Sequence, residues 1–539
     1  MKKTIQVIAF LAMGAALLVS CGKEEKLSSR TIRATMEQGE GKTYLDLNGL
    51  GIKWESSEAI YVSNGAWGTE YTLQSGANTT SGEFACGEGE EVYGDLMHAF
   101  YPTDLCQSFN NGVPQVNISN TQNYDATKHL VGFPMYAHFN ANNASEVHFK
   151  NLCGVLKITM QKADTKIASI NIATDRQIAG ILPVKDTVEN TTTGDTVYKV
   201  NAGAESTNNA SVTLQCPKTG IDIAQATDFY IYLPAGEYEV FRITVSTTDG
   251  ERCIFRTTDA IPTVRIQRNK IHTLSFSDED LDFKIGLFSV SSSKKVYFAP
   301  GNVYYNTQTQ SWGIFQDQTE RYCNGVDLST VNAASAVAPG GAPTTVAANC
   351  KYIDYFRQGL GSWSIDPSQS MGVTANLTIA YGDYGAPGTG TDWGSLFPGE
   401  GWYTLSADEW VYVTNTRENA SNLRGYASVV SDNGIPMPCY VLLPDTCSTT
   451  VKDICKGGNE CTLADLDAWH ACVLPWTQYY KNGNNGGWES DKCGYYTSTL
   501  KTFLCVHNDW STLHSKTENN GQNLMFVRLA HDYGAGYSK

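Results

Sequence analysis

The chain has 539 residues, and its 39 basic against 55 acidic side chains leave a net charge of −16 and a pI near 5.0. That balance, with no Lys/Arg stripe anywhere, excludes a nucleic-acid footprint. The length allows three or four domains, and beyond the first 20 residues no apolar run is long enough to cross a bilayer as a helix.

At the N-terminus, Lys2 and Lys3 precede an apolar stretch, "IQVIAFLAMGAALLV". It is shorter than the ~20 residues a spanning helix needs, which reads as a signal peptide. The stretch closes on "LVSC", which resembles the bacterial lipobox. The resemblance implies cleavage before Cys21 and acylation of its thiol, so 1–20 is a lipoprotein signal peptide and 21–35 a tether. An ordinary secretory peptide with a chance cysteine is the alternative. Lys23-Glu24-Glu25 is similar to the acidic signal that sends lipoproteins of gut and oral anaerobes to the outer face of the outer membrane. A solvated charge run would look the same. Membrane contact is therefore expected through lipid only.

Residues 31–280 read as strands throughout. "TIRATMEQ" alternates apolar and polar residues beside Arg30 and Arg33. Further on, Phe241, Ile243 and Val245 fall on one face of a strand, and Arg242 and Thr244 on the other. Asp249-Gly250 fits a tight hairpin turn, because Gly tolerates the positive φ such turns need. Short strands between Gly, Asn and Pro clusters, without a clear amphipathic helix, predict β-sandwiches. The turn-rich "HFNANNASE" divides them near residue 143, into 36–143 and 144–280. Cys153 lies in the crowded apolar strand "VHFKNLCGVLKITM" and is expected to be a free buried thiol.

"GIKWESSEAIYVSNG", "LMHAFYPTD", "VHFKNLCGVLKITM" and "KIASINIATDRQIAGI" occur in an order that resembles fimbrillin-like lipoproteins, pilus subunits of gut and oral anaerobes. The resemblance covers roughly 31–280 and implies two transthyretin-like β-sandwich domains. It also implies subunits that join when a strand from one fills a groove in another, edge pairing used constructively. A protease cutting after an Arg would remove the first strand and open that groove. Arg30 and Arg33 are the candidate processing sites, with plain linker charges as the other reading.

The acidic join "SFSDEDLDFK" opens a different region, 285–539, which carries nine of the eleven tryptophans. "VYFAPGNVYYNTQTQSWGIFQDQ" predicts a hairpin, followed by a Gly/Ala/Pro-rich stretch over 325–348. In "WYTLSADEWVYVTNTR", Ser406 and Glu409 form a capping box, and Trp410 and Val413 share the core face of the helix it starts. A second helix, in "CTLADLDAWHACVLPW", is capped by Thr462, places Leu463, Leu466 and Trp469 at helical spacing, and ends at Pro475. "GYYTSTL" and "NLMFVRLAH" close the chain as strands. The series "VYFAPGNVYYN", "WYTLSADEWVYVTNTR", "YVLLPD", "HACVLPW", "GYYTSTL", "MFVRLAH" resembles the C-type-lectin-like modules of surface proteins in the same bacteria. Those modules are distant relatives of the formylglycine-generating enzyme fold. The fold class expected is mainly β: two transthyretin-like β-sandwich domains followed by an α+β C-type-lectin-like domain.

Fifteen cysteines less Cys21 leave fourteen, five before residue 285 and nine after, so neither half can pair all of its own. No Cys-x-x-Cys occurs, and outside the cytoplasm the loop-rich spacing favours disulfides over metal. No Ser-His-Asp order, His-Glu-x-x-His or phosphate loop stands out. The cysteine context of the formylglycine-generating enzymes is absent around Cys505. Asp408 and Glu409 face apart on a helix, and His470 and His507 read as ordinary histidines. No catalytic residue and no cofactor are expected. Calcium-dependent lectins use Glu-Pro-Asn or Gln-Pro-Asp with Trp-Asn-Asp; none occurs, although Asn508, Asp509 and Trp510 hold the last residue types in another order. Metal is not expected, and a lectin-like fold does not by itself imply lectin activity.

One stretch, 476–510, suits ligand binding. Gly483, Gly486 and Gly487 with Asn482, Asn484 and Asn485 disfavour a regular element and predict a long loop. Tyr479, Tyr480, Trp488 and Trp510 offer flat faces for sugar C–H groups, and the Asn and Asp side chains offer donors and acceptors for hydroxyls. Tyr495 and Tyr496 are read as core. The function expected is a lipid-anchored pilus subunit at the cell surface, adhesive and of the tip type. Its partners would be other fimbrillin subunits by strand exchange and a host or microbial glycan or glycoprotein. The alternative is a stand-alone glycan-binding lipoprotein of a polysaccharide-uptake system; an enzyme comes third.

Overall fold

The computed structural model describes residues 31–37, 52–140, 146–190, 195–204, 209–257, 263–306, 311–321, 352–354, 356–357, 392–397, 400–432, 434, 436–455, 460–475, 479–481, 487–489, 492–498, 503–507, 513–516 and 524–533. The fold is mainly β, built from several sheets with only short helices between them.

The first sheet has eight strands. Its order is Glu146–His148, then β1 (Thr31–Thr35), Ser81–Ala85, Gly68–Ser75, Ala59–Ser63, Leu96–Tyr101, Met135–Asn140 and Lys150–Asn151. Alternation gives β1 and Ser81–Ala85 one buried face each, as expected of a sheet with one side on a core. Trp54 lies in that core, edge-on to Phe84, Tyr101 and Phe149 at 4.9, 5.2 and 5.9 Å. Val155, Leu182, Val200 and Tyr232 complete it from beyond position 143.

A second core lies between the sheet Thr227–Leu233, Gly154–Met160, Ile271–Phe276 and the sheet containing Phe241–Thr247 and Lys166–Thr174. Strand pairs lace the two cores together: Val113–Ile118 pairs with Gly180–Asn190, and Thr121–Asn123 with Ser211–Gln215. Cys153 is fully buried with its thiol free, and burial pushes its pKa up.

Beyond residue 285, Lys295–Asn306 pairs with Phe288–Ser289, Ser311–Ile314 and Arg528–Asp532. A four-stranded sheet of Glu460–Thr462, Arg424–Val430, Pro436–Leu442 and Cys472–Pro475 stands beside it. Helix α1 (Ala407–Val411) starts at the expected capping box: Glu409 N–H donates to Ser406 Oγ at 3.2 Å, and Ser406 N–H to Glu409 Oε2 at 2.8 Å. It runs on into one π-helical turn, Tyr412–Thr416. Trp410 is buried and stacks on Phe298 at 5.3 Å. Helix α2 (Val451–Ile454) follows, then α3 (Leu463–Asp467), capped by Thr462 and Asp465.

The helix read in "CTLADLDAWHACVLPW", α3, stops at Asp467, not Pro475. His470 turns the chain at φ 54°, and Cys472–Pro475 becomes a strand against Pro436–Leu442. Its backbone groups find better partners in the sheet than in another helical turn. Trp469 is left 37% exposed rather than in the core.

Arg242 faces away from Phe241, Ile243 and Val245, as the alternation predicts, yet it too is buried, at 3% exposure. The region after 285 covers it. Its guanidinium meets Asp317 at 2.8 Å and Asp432 at 2.7 Å, and Arg256 meets Asp432 at 3.3 Å and Asp467 at 2.5 Å. Gln318 donates to Asp467 and Ala471 O and accepts from Val473 N–H. Gly250, at φ +82° in the expected hairpin, fits this contact as well: a Cβ there would lie 2.6 Å from the Tyr297 ring. Burial pushes the Asp317 pKa up, but Arg242 and the Thr319 N–H and Oγ1 donors together outweigh it and hold the carboxyl below the usual range.

Candidate functional site: the seat of the first strand

β1 is not at a sheet edge. It runs antiparallel to Ser81–Ala85, with Ile32 opposite Phe84 and Ala34 opposite Gly82, and parallel to Glu146–His148, with Ala34 aligned to Val147. Ile32 and Ala34 are fully buried, while Thr31 and Arg33 face out. Over Gly82 the core is already full: a Cβ there would meet Leu73 Cδ1 at 2.5 Å and Trp54 Cδ1 at 3.1 Å. Withdrawing β1 would open a slot one strand wide, flanked by the strands that carry Phe84 and Val147. Backbone groups on both flanking strands would lose their partners.

The strand is fastened at its C-terminal end. Met36 N–H donates to Thr80 O, and Phe149 N–H to Thr35 O. Glu37 then accepts from Arg268 Nη1 at 2.6 Å and from Asn151 N–H at 2.9 Å, with Lys150 Nζ at 3.6 Å. Arg268 is buried and also donates to Asn151 O at 2.9 Å; Asn151 Nδ2 donates to Asn269 Oδ1. At the outer face Arg33 Nε donates to Ser81 Oγ at 3.5 Å, and Thr35 Oγ1 lies 2.7 Å from His148 Nδ1. Sequence reading missed this clamp. Glu37 and Arg268 are 231 residues apart, and nothing local ties them.

Of the sequence-predicted residues, Cys21, Arg30, Asn482, Asn484, Asn485, Asn508, Asp509 and Trp510 lie outside the described residues. Arg33 lies inside β1, so a cut after it would divide the strand, and a cut after Arg30 would leave β1 whole on the downstream chain. Tyr479, Tyr480 and Trp488 are on strands, which corrects the expected loop: Tyr479–Lys481 and Gly487–Glu489 pair antiparallel, with Tyr480 opposite Trp488. Leu524–Met525 pairs on the other side of the first of these, supplying the partner that a local reading cannot see. Tyr495 and Tyr496 are fully buried. Glu409 is occupied by its cap and by Lys294 at 2.8 Å. Among the described residues no group of three or more His, Cys, Asp or Glu side chains is arranged to hold a metal ion, and no helix is long and apolar enough to cross a membrane.

No model of a known protein family matches the chain, and no curated protein does. Several solved structures resemble about half of it. A candidate cell adhesion protein from Bacteroides ovatus is 16% identical at a TM-score of 0.31, covering 47% of this chain and 93% of its own. A fimbrial assembly protein from Parabacteroides distasonis is 11% identical at 0.24, covering 53% and 98%. The tip fimbrial protein Mfa3 from Porphyromonas gingivalis, truncated at its C-terminus, is 9% identical at 0.21, covering 46% and 92%. Likenesses at these scores assign neither family nor function.

Proposed function

We propose that the chain is a surface lipoprotein of an adhesive pilus, joined to its neighbours at the β1 seat and presenting 285–539 outward as the tip subunit. The observation that supports this most is β1 itself. Five residues, only two of them buried, fill a slot between two other strands, and one ionic clamp fastens them. Pairing by an added strand supplies affinity through the backbone, so another chain's strand can fill the same slot. A protease needs an extended, accessible substrate, which a strand paired on both sides is not. Cutting after Arg30 is therefore the processing step that fits. It frees the strand's upstream end and releases the chain from a lipid on Cys21.

The test is a lock. Arg33 and Glu83 are aligned on neighbouring antiparallel strands and both face out. Their Cα atoms are about 5 Å apart in such a ladder, within reach of a disulfide. Arg33→Cys/Glu83→Cys, oxidised, is expected to reach the outer membrane but stay out of sheared high-molecular-weight fibres, and to enter them on reduction. Incorporation of the locked chain would refute assembly through this seat.

The adhesive surface we assign to Tyr479, Tyr480, Asn482, Asn484, Asn485, Trp488, Asn508, Asp509 and Trp510, without calcium or other metal. In sequence, 482–486 connects the two paired strands, and connections on a rigid scaffold are natural places for binding residues. Trp488→Ala is expected to keep the melting temperature and lose at least tenfold in affinity for glycans or glycoproteins captured on an array. A variant that folds and binds unchanged removes this surface from the proposal.

A further inference from the structure

We propose that Cys455 and Cys461 are joined by a disulfide in the mature protein, closing 455–461 into a covalent loop. Helix α2 packs against Arg424–Val430, and Cys455 is the residue on which it ends, its N–H donating to Val451 O at 2.9 Å. Cys461 lies in Glu460–Thr462, which runs parallel along the same strand with Cys461 aligned to Val429. Both side chains turn into one apolar core with Val429, Val451, Leu463 and Leu466, at 0% and 3% exposure. Both thiols are free there, enclosed by the same side chains. Interaction with Cys461 holds the Cys455 thiol below its ordinary pKa against the opposing effect of burial, and interaction with Cys455 raises Cys461.

Cys439, in the same core, is badly placed for Cys461. Cys439 is on Pro436–Leu442, across Arg424–Val430 from Cys461. Two interstrand spacings separate them, roughly 9.6 Å, beyond the ~7 Å between Cα atoms that a disulfide spans. The Cys447 thiol donates to Thr449 O at 3.8 Å, and Cys472 lies 3.9 Å from an Arg528 nitrogen.

The oxidant is a disulfide-bearing molecule, a thiol–disulfide oxidoreductase or oxidised glutathione. The Cys455 thiolate attacks one of its sulfurs and expels a thiol, giving a mixed disulfide; the Cys461 thiolate then attacks Cys455 Sγ and expels the second thiol. The protein loses two electrons and two protons, and the oxidant leaves as thiols. The closed loop ties α2 to the strand that leads into α3, whose Asp467 receives Arg256 across the junction.

Peptide mapping of the full mature chain, treated with oxidised glutathione and alkylated before digestion, decides this. Trypsin cuts after Lys452 and Lys456, which separates the two cysteines. The expected product is one linked peptide pair, lighter by two hydrogens and resolved by reductant, localised to Cys455 and Cys461. Oxidation should raise the melting temperature by about 5 °C, as closure of a short loop predicts, and leave Cys455→Ser/Cys461→Ser unchanged. Alkylation of both cysteines without reduction, or linkage of either to another cysteine, overturns the proposal; the mapping is on the unmutated chain and does not depend on the variant folding.

Discussion

His98 and His138 face each other across two antiparallel strands, their rings stacked 4.8 Å apart. Tyr136 OH lies 2.7 Å from His98 Nδ1, Tyr198 OH 3.3 Å from His138 Nδ1, and Phe109 covers His98 at 4.9 Å. Burial, and then the neighbouring His138, push the His98 pKa down to about 4; burial lowers His138 as well. The unfolded chain takes up these protons near pH 6.5, so the stabilisation is complete above pH 6.5 and is lost as pH falls through about 4. His98→Phe keeps a ring in the stack and removes one titration. Its urea midpoint is expected to fall less than the parent's between pH 7.5 and 4.5; an equal fall would exclude His98 as a source of the acid sensitivity. At this scale, what the sequence disclosed was local. Ser406 and Glu409 are three residues apart, and their spacing alone specifies the cap. Glu37 and Arg268 are far apart in the chain, and their meeting depends on the whole sheet.

Among the elements, β1 is where the account is most exposed to test. Its apolar–polar alternation was legible in "TIRATMEQ", but its place between two strands was not, because register is set by partners 50 and 113 residues away (Arg33 with Glu83 and Glu146). Glu37→Gln keeps the shape of the clamp and removes its charge. Breaking one side of a buried pair costs about 3 kcal/mol or more, so the variant should lose the protection of β1 amides against hydrogen exchange while the strands around Ile170 keep theirs. Unchanged β1 protection would show that the clamp does not hold the strand. α1 announced its start by a capping box and α3 by its Thr462 cap; the end of α3 was misread because Cys472–Pro475 takes its partners from Pro436–Leu442, a tertiary demand that overrides local spacing. The pairing of Tyr479–Lys481 with Gly487–Glu489 was missed for the same reason.

Across the whole molecule, an ionic junction through Asp317, Asp432 and Asp467 ties described parts of the region after 285 to the sheet that carries Arg242 and Arg256. Composition and strand density made the mainly β class legible, and the acidic run near 280 marked the change of region. The junction was hidden, because an arginine alternating outward from a strand looks solvated until its cover is known. The most direct test of the central claim is binding of a synthetic peptide spanning residues 29–38 to the chain shortened to begin at Met36. Saturable binding with one peptide per chain, a rise in melting temperature toward that of the intact protein, and loss of both effects when the peptide carries Ile32→Asp are the predicted results. A shortened chain that melts like the intact protein and takes up no peptide would contradict the account.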